Sequence, residues 1–180
     1  MATWITSDLH FSHANIQKFC PITRGHYKDV TDMNEQMILE WNSKVATDDV
    51  VYILGDVAFC SAEKAAEILN RLNGVKHLIV GNHDEKNLKN KIFKDCFASV
   101  QHYLRLVYNK QVIIMCHFPF LEWDQMHRGS LHFFGHIHGN KTGQEQYRCM
   151  DVGMDATGQV VMLLDEAIEK ICNNVIKSHH

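Results

Sequence analysis

Seven aspartate, asparagine and histidine residues that follow short apolar runs have side chains of the kinds that bind divalent metal ions. They are Asp8, His10, Asp56, Asn82, His117, His136 and His138. Carboxylate oxygens, amide oxygens and imidazole nitrogens are all common metal ligands in proteins. Seven ligands exceed the four of one tetrahedral site, but they suit two ions that share a carboxylate. The set therefore predicts a two-metal site in which Asp56 bridges the ions through its two oxygens.

A two-metal site of this composition points to phosphoryl chemistry. Paired ions about 3.5–4 Å apart hold the phosphate oxygens and lower the pKa of a shared water molecule, which becomes hydroxide. Because the ligand set contains no thiolate, it favours Mn, Fe, Zn, Co or Ni over Mg or Ca. We therefore expect two divalent transition-metal ions as cofactors, with manganese favoured, and hydrolysis of phosphate esters as the reaction.

The elements that must position these ligands are short apolar runs, each of which ends just before one or more of them. The runs span residues 4–6, 50–54, 78–80, 112–116 and 131–134. Runs of this length that are rich in Val and Ile predict buried strands. Ligands of open α/β sheets gather beyond the carboxyl ends of the strands. Five strand ends would therefore bring the seven side chains to one edge.

The order of helical and strand patterns predicts two sheets. One helix at residues 14–19, a second that opens at Thr31-Asp32 and a third that starts at Ser61 lie among the first three strands. This order is typical of a largely parallel sheet covered on both faces. The second half has few helices, and its strand candidates span residues 103–108, 112–116, 131–134, 146–152 and 159–164. We expect these strands to form a second, more antiparallel sheet packed on the first, followed by a last helix at 165–177.

Length, composition and charge indicate one soluble domain. The chain has 180 residues, enough for a single core, and 46% of them are hydrophobic, which is ordinary for a globular protein. The net charge of -3 gives no overall basic field for nucleic acid. No apolar run approaches the roughly 18 residues of a membrane span. We expect one domain over residues 1–178, and we interpret His179-His180 as the remnant of a purification tag.

The cysteines and the first residues of the chain favour a cytoplasmic protein. The 6 cysteines are dispersed and form no C-x-x-C pair. This distribution is typical of reduced, buried thiols rather than of a disulfide framework. The chain enters a predicted strand almost at once, and no basic region followed by an apolar stretch indicates a signal peptide. We therefore expect a cytoplasmic location and no membrane association.

The ligand segments together resemble a known motif set. Asp8-x-His10, Gly55-Asp56, Gly81-Asn82-His83-Asp84, His117 and Gly135-His136-Ile137-His138 match, in order and type, the motifs of the calcineurin-like metallophosphoesterases. Gly-Asp alone is common, but all five segments in order are highly specific. The resemblance covers residues 8–138. It implies an α/β fold, a four-layer αββα sandwich of two mixed sheets flanked by helices, which agrees with the two sheets expected above.

The resemblance also implies a role for each matching residue. One ion would be held by Asp8, His10, Asp56 and His138, and the other by Asp56, Asn82, His117 and His136. In the family, the histidine of the Gly-Asn-His-Asp segment lies over the substrate and is not a ligand. His83 would therefore stabilise the developing negative charge or protonate the leaving oxygen. Asp84 would orient His83 through a hydrogen bond.

The first third of the chain also resembles a small single-domain subgroup of this family found in bacteria and phages. The likeness lies in residues 7–16, 33–35 and 49–56. Many members carry an Arg-Pro-Phe segment where this chain has Arg24-Gly25-His26-Tyr27, with a one-residue insertion. Arg24 is a candidate for phosphate contact because a planar guanidinium suits phosphate. A salt bridge within the loop is the alternative for Arg24.

Two further residues are candidates for substrate binding. His13 lies three residues after His10, so it can line the cleft, although a helix-capping or surface role explains it as well. Asn82 supplies a neutral amide beside the predicted ions and is therefore a candidate for substrate contact as well as a ligand.

Other chemically suggestive residues have simpler explanations. A solvated helix face is favoured over a phosphate-binding patch for Lys86, Lys89, Lys91 and Lys94. Surface or strand positions explain His26, His127 and His132. Core packing is favoured over an apolar cleft wall for residues 118–123, and a turn at a strand end explains Asp151 and Asp155.

The sequence predicts a dinuclear metal-dependent phosphoesterase. We favour phosphodiesters of nucleotide type, such as a cyclic nucleotide or a short oligonucleotide, because no cap domain that would enclose a small monoester is evident. The alternatives are a phosphomonoesterase or a nuclease on the same site, and a non-enzymatic metal-binding scaffold on the same fold. The expected partner is a small phosphate-ester substrate. No stable nucleic-acid complex is expected, and the sequence indicates no oligomeric state.

Overall fold

Two β-sheets form the centre of the computed structural model, which describes residues 1–178. The predicted tag at 179–180 lies outside the described residues. The first sheet has the strand order β4-β3-β2-β1-β9. Its strands are β1 (Thr3–Thr6), β2 (Val50–Ile53), β3 (Val75–Ile79), β4 (Ser99–Gln101) and β9 (Met162–Leu163). The second sheet has the order β5-β6-β7-β8. Its strands are β5 (Tyr103–Tyr108), β6 (Gln111–Cys116), β7 (Leu131–Phe134) and β8 (Cys149–Asp151).

The helices flank these sheets and connect their strands. They are α1 (Ile16–Phe19), α2 (Pro21–Arg24), α3 (Val30–Lys44), α4 (Ala62–Leu69), α5 (Glu85–Leu88), α6 (Lys91–Lys94), α7 (Met154–Thr157) and α8 (Leu164–Ile171), with one 3-10 helix at Met126–Arg128. Two mixed sheets with flanking helices confirm the predicted fold class. Among the described residues, no helix is long and apolar enough to cross a membrane. The single-domain organisation and the cytoplasmic location stay predictions.

Strand directions agree with expectation in the first sheet, and the second sheet is mixed. Strands β1 to β4 run parallel, and only β9 pairs antiparallel, with β1. In the second sheet only β5 and β6 are antiparallel, whereas β6, β7 and β8 are parallel. The second sheet is therefore the more antiparallel of the two, as expected, although two of its three strand pairings are parallel. Parallel neighbours need long connections, and the two long connections that follow β6 and β7 carry His117, His136 and His138.

Three apolar clusters hold the layers together. One lies between the first sheet and its helices, where Met37 and Trp41 of α3 meet Leu69 of α4. A second joins the two sheets and includes Ile5 of the first sheet and Phe133 of the second. The third covers the outer face of the second sheet and consists of Ile114, Trp123, Met126, Phe134 and Cys149. We call this third group the outer cluster.

The local sequence predicted where helices begin and where strands turn, with errors of a few residues. Ser61 caps α4 as predicted, but α3 is capped by Asp29 rather than opening at Thr31. The Asn109-Lys110 turn joins β5 to β6 with positive φ at both residues. The last helix was expected over residues 165–177, but α8 ends at Ile171 and is therefore shorter.

Candidate metal centre

Backbone hydrogen bonds lock the strand-end loops to one another. The N–H of Asp8 donates to the carbonyl of Gly55 at 3.0 Å, and the N–H of His10 donates to the carbonyl of Asp56 at 3.0 Å. Within the second sheet, the N–H of Gly135 donates to the carbonyl of His117 at 2.9 Å. Between the sheets, Nδ1 of His117 lies 2.6 Å from the carbonyl of Leu54, just after β2. The loops after β1, β2, β6 and β7 therefore form one fixed edge, and the candidate ligands project from it.

The Asp56 carboxylate lies between the side chains of His10 and His117. Its Oδ2 is 3.7 Å from Nε2 of His10 and 3.6 Å from Nε2 of His117. The Oδ1 of Asp8 is 3.7 Å from the same nitrogen of His10 and 3.9 Å from Nε2 of His138. These distances are too long for hydrogen bonds. They suit pairs of atoms that each lie about 2.0–2.2 Å from a shared ion.

Ligand atoms close enough to share an ion form two overlapping groups. The first is Asp8, His10 and His138, and the second is Asp8, Asp56 and His117. Asn82 joins the second group, because its Oδ1 lies 3.0 Å from Nε2 of His117. The other ring nitrogen of His117 donates to the Leu54 carbonyl at 2.6 Å, which leaves Nε2 free to face the group.

His136 lies at the exposed rim of this edge. Its ring centroid is 5.2 Å from that of His117 and 4.8 Å from that of Phe118. Its backbone N–H donates to Oδ2 of Asp8 at 2.8 Å, which ties the rim to the buried carboxylate. All seven predicted ligands thus lie along one edge: five of them belong to the two groups, Asn82 adjoins His117, and His136 lies beside them.

Unpartnered polar atoms show that this edge fits a metal. Oδ1 of Asp8 and both ring nitrogens of His10 are buried, and no described residue makes a hydrogen bond with any of them. Buried polar groups are nearly always hydrogen-bonded, and each exception costs about 1–3 kcal/mol. A divalent cation would satisfy the carboxylate oxygen and one of the imidazole nitrogens. The donor set of carboxylate, imidazole and amide is therefore compatible with the predicted ions.

Backbone strain is concentrated at the same residues. Asp8, His10, Asp56, His136 and His138 all have positive φ, between 48° and 71°. This left-handed conformation costs a non-glycine residue roughly 1–2 kcal/mol, and such strain gathers at functional sites. The loops also approach closely at Gly135, where an added Cβ would collide with the side chain of Ser7. The edge is thus built for ligand geometry at a cost to stability.

Electrostatics favour the protonation states that bind a cation. Burial on its own would raise the pKa of Asp8, but the neighbouring His10, His117 and His138 reverse the effect, so that the pKa is lowered. Burial lowers the pKa of His10. A carboxylate and a neutral imidazole are the forms that ligate metals, so both groups are in the right state at neutral pH.

Asp155 orients His138, and Arg24 holds Asp155. Nδ1 of His138 lies 2.8 Å from Oδ2 of Asp155, which leaves Nε2 directed at Asp8. This hydrogen bond raises the pKa of His138 against the effect of burial. The guanidinium of Arg24 donates to both Asp155 oxygens, at 2.8 and 3.0 Å, and to the carbonyls of Leu9 and Asp8. The prediction that Arg24 contacts phosphate was wrong, because this side chain is fully buried and its donors are occupied by the protein.

Cys20 lies beside this pair without being a good ligand. Its Sγ is 3.9 Å from Nδ1 of His138, and together with Asp155 the two residues form a third group of possible ligands. Burial raises the pKa of the Cys20 thiol to about 11. The thiol is therefore protonated at neutral pH, whereas metals bind the thiolate.

Asp84 stabilises a backbone loop and does not orient His83. Its carboxylate accepts hydrogen bonds from the backbone N–H groups of Asp56, Val57 and Gly81, at 2.9, 3.0 and 2.8 Å. It is buried, whereas the ring of His83 is exposed. The predicted Asp84–His83 hydrogen bond was therefore wrong, because the acceptors of Asp84 are taken by main-chain donors. Asp84 instead joins the loop after β2 to the loop after β3.

His83 is held next to Asp56. Its backbone N–H donates to Oδ1 of Asp56 at 3.0 Å, and its Nε2 is 3.9 Å from Oδ2 of the same residue. The exposed ring thus stands over the candidate bridging carboxylate. This position suits a group that acts on the substrate rather than on the metal.

His13 packs against an aromatic residue that the sequence did not single out. Its ring stacks on Phe59 with centroids 4.0 Å apart and an interplanar angle of 11°. Phe59 is also 4.4 Å from the ring of His83 and 5.1 Å from that of His10. His13 therefore lines the rim of the site, and its contact with substrate stays a prediction. No motif marks Phe59, because only the fold brings the three histidines to it.

The remaining candidates have structural roles. His132 is buried in the second sheet with both ring nitrogens bonded to the backbone. Trp123 lies in the outer cluster, whereas Phe118 is exposed beside His136. Asp151 accepts the backbone N–H groups of Gly139 and Gly153. Core packing therefore explains Trp123 but not Phe118, which lies at the rim of the site. The turn explanation fits Asp151, whereas Asp155 contacts the candidate ligand His138.

Comparison with known proteins adds independent information. The family model for calcineurin-like phosphoesterase matches residues 1–140. Protein MJ1445 of Methanocaldococcus jannaschii is 40% identical over 93 residues, which are 51% of this chain and 51% of that one. This chain therefore aligns with about half the length of that relative. The gene 66 protein of Mycobacterium phage L5 is 26% identical over 188 residues, with 88% of this chain and 89% of the phage protein covered.

One solved structure shares the fold over nearly the whole chain. It is the protein of unknown function AQ665 from Aquifex aeolicus, with a TM-score of 0.75 and 20% sequence identity. The alignment covers 94% of this chain and 99% of that one. The similarity extends beyond the matched family segment and includes the second sheet.

Proposed function

Since the chain belongs to the calcineurin-like phosphoesterase family, we propose that it is a two-metal hydrolase of phosphate esters that acts on phosphodiesters of nucleotide type. The observation that carries the proposal is the group of buried, unpartnered atoms of Asp8 and His10 beside the Asp56 carboxylate. A protein without a cation there would gain nothing from burying these atoms. The surrounding histidines supply the remaining ligands.

We assign the ligands to two ions that share Asp56. Asp8, His10, Asp56 and His138 would hold one ion, and Asp56, Asn82, His117 and His136 would hold the other. The short distances from Asp56 Oδ2 to both His10 and His117 support its place between the ions. When bound, such ions supply the Lewis acidity that neutralises phosphate oxygens and lowers the pKa of water.

The protein's own side chains protonate the leaving oxygen and hold the candidate ligands in position. His83 donates a proton to the leaving oxygen, because its exposed ring stands over the bridging carboxylate and its backbone is fixed by Asp56. Asp84 keeps the two loops that carry Asp56 and His83 in register. Asp155 holds the Nδ1 proton of His138, so that Nε2 remains available to a metal.

The openness of the site favours diesters over monoesters. Asn82, His83 and His136 are all exposed on the rim. A substrate with groups on both sides of the phosphate can therefore enter without displacing an enclosing element. Phe59 offers an aromatic surface at the same rim, which suits a nucleoside.

The test is to purify the protein without chelator, measure metal content, and assay an aryl phosphodiester beside an aryl phosphomonoester with added Mn²⁺. About two metals per chain and diester cleavage that is lost in chelator are expected. Cleavage of the monoester alone would replace the diesterase proposal with a phosphatase. Neither metal nor turnover would contradict the enzyme proposal and leave a binding scaffold.

A further inference from the structure

A cavity of about 550 Å³ adjoins the candidate metal centre on the side of His83. Asn82 and His83 form its border with the metal centre, and Phe59 lines it as well. Its far side is formed by Lys86 and Lys89, on and just after α5. A substrate bound at the metals and extending past His83 would enter this cavity directly.

The two lysines give the cavity a positive character. Both are exposed, and within residues 1–178 neither Lys86 nor Lys89 forms an ion pair. Lys91, one turn further on, is instead paired with Asp95 at 2.6 Å. Glu85 also lines the cavity, so two ammonium groups face one carboxylate.

A second cavity continues away from the metals. It has a volume of about 490 Å³, shares Lys86, Asn87 and Lys89 with the first, and reaches Lys91, with Glu63 as the one carboxylate among the described residues of its lining. The two cavities together form a track that starts at the candidate catalytic histidine. A track of this kind suits a chain of phosphates better than a single compact group.

Phe59 adds a rigid aromatic surface at the start of this track. It is 37% exposed although it is a large apolar residue. One of its contacts is the stacked ring of His13 at 4.0 Å, and His83 lies 4.4 Å away. An aromatic ring held in place beside a basic groove is the arrangement that binds single-stranded nucleic acid by stacking.

We propose that this cavity is a subsite for a second phosphate, so that the preferred substrate is a linear oligonucleotide rather than a cyclic mononucleotide. Lys86 and Lys89 bind the phosphate next to the scissile one, and Phe59 stacks on the base between them. A cyclic mononucleotide has a single phosphate, which the metals would take, and leaves the lysines without a partner. The inference rests on the proposed diesterase function.

Matched dinucleotides isolate the effect of the second phosphate. The substrates are the dinucleoside monophosphate TpT and its forms with a 5′ or a 3′ terminal phosphate, pTpT and TpTp. Cleavage of the internal diester bond is followed by chromatography with added Mn²⁺. We expect at least one phosphorylated form to be cleaved with a kcat/KM about tenfold above that of TpT, chiefly through a lower KM. Salt should reduce this preference, because the contact is electrostatic.

In a double variant, Lys86→Gln with Lys89→Gln, the kcat/KM for the phosphorylated dinucleotides should be close to that for TpT, so that their ratio is about one. The control is Lys110→Gln with Lys170→Gln, which makes the same change of charge on the β5–β6 turn and on α8. The control should keep the wild-type ratio. Thermal unfolding and metal content of both variants verify that they are folded and loaded.

The possible outcomes distinguish failure of the subsite from failure of the proposed diesterase function. If wild-type protein cleaves neither these dinucleotides nor an aryl diester, the proposed function fails. If it cleaves TpT as well as pTpT and TpTp, the function stands and the subsite is refuted. An equal loss of preference in both double variants would also refute the subsite, because it would reflect the overall charge of the protein.

Discussion

His10 and His132 are both buried histidines, and their surroundings are opposite. In His132, Nδ1 lies 3.2 Å from the carbonyl of Ile114, and Nε2 accepts the backbone N–H of Phe120 at 3.1 Å. In His10, neither ring nitrogen has a hydrogen-bond partner among the described residues. Burial and residue type are therefore the same, and only the satisfaction of the ring nitrogens differs. This difference separates a histidine that stabilises the fold from one that is prepared for a ligand.

The contrast extends to the regions around the two residues. His132 borders the outer cluster, where its ring lies parallel to that of Phe120 at 5.0 Å and packs near Trp123 and Phe134. His10 lies among carboxylates and imidazoles on a left-handed backbone. Substitutions in the first region should change stability with little effect on metal binding. Substitutions in the second should change metal binding and rate with little loss, or a gain, of stability.

The largest expected effect is that of Asp56→Asn. Loss of the shared carboxylate should lower turnover beyond the roughly 1,000-fold that removal of one electrostatic group costs, with a fall in metal content. In chelator the variant should be at least as stable as wild type, because the ligand oxygens of Asp8 and Asp56 lie within 4.8 Å of each other and repel. Metal analysis and thermal unfolding in chelator measure both effects. A marked loss of stability in chelator would contradict the assignment of Asp56 to function.

The next effect concerns His132 and the pH dependence of stability. Burial lowers the pKa of His132 to about 4 in the folded protein, against 6.5 in the unfolded chain. The unfolded state therefore gains a proton first, and the stabilisation, complete above pH 6.5, is lost as pH falls from 6.5 towards 4. The lost free energy of unfolding is roughly 3 kcal/mol.

Denaturant unfolding at several pH values, with His132→Gln as the comparison, measures this dependence. Glutamine can keep both backbone hydrogen bonds but does not titrate, so the variant should lose less stability between pH 6.5 and 4 than wild type. Metal content should be the same in both proteins near pH 7. Parallel pH profiles for the two proteins would refute the prediction.

The candidate ligands were predictable because each is marked by its local sequence. Each of the five runs that the sequence predicted as strands is followed, within a few residues, by one or more ligand residues, and the carboxyl ends of parallel strands meet. Asp8 and Asp56 therefore needed no knowledge of tertiary contacts. The same local rules gave most strands of both sheets.

The partners of these ligands could not be predicted, because tertiary approach alone decides them. Arg24 and Asp155 are 131 residues apart, and no periodicity connects them. Asp84 adjoins His83 in sequence, yet its carboxylate turns inward to three backbone donors. Strand β4 was missed because three residues are too few to show an alternating pattern. The strand predicted at 159–164 was assigned to the wrong sheet, because β9 (Met162–Leu163) pairs with β1 in the first sheet and only tertiary contacts decide this.

His83→Ala tests whether His83 acts on the substrate or binds a metal ion. The exposed ring of His83 lies 3.9 Å from Oδ2 of Asp56 and is assigned to the substrate rather than to an ion, so the variant should retain the wild-type metal content. Its turnover should fall by about 100-fold, a typical contribution of a general acid. Metal analysis beside steady-state kinetics makes the distinction. If metal and rate were lost together, His83 would be a ligand and the proposed role would be wrong.

The smallest expected effect is that of Asp155→Asn. This substitution extends the comparison of His10 and His132 to a third histidine, His138. His138 is satisfied at Nδ1 by Asp155 and unsatisfied towards Asp8 at Nε2, so it combines the features of His132 and His10. Asparagine keeps the shape but weakens the hydrogen bond, and loss of such a partner costs about 10-fold or more in metal affinity.

Titration of the metal-free protein with Mn²⁺ measures the change in affinity for Asp155→Asn. Thr23→Val is the matched control, because it removes another hydrogen bond to Asp155, at 2.6 Å, without touching His138. Arg24 is buried against the same carboxylate, so thermal unfolding must accompany the titration. If Asp155→Asn loses stability but binds Mn²⁺ as tightly as wild type, Asp155 stabilises the fold, as His132 does, and has no role in metal binding. Weaker Mn²⁺ binding in Asp155→Asn than in Thr23→Val, at retained thermal stability, would show that Asp155 supports metal binding through its contact with His138.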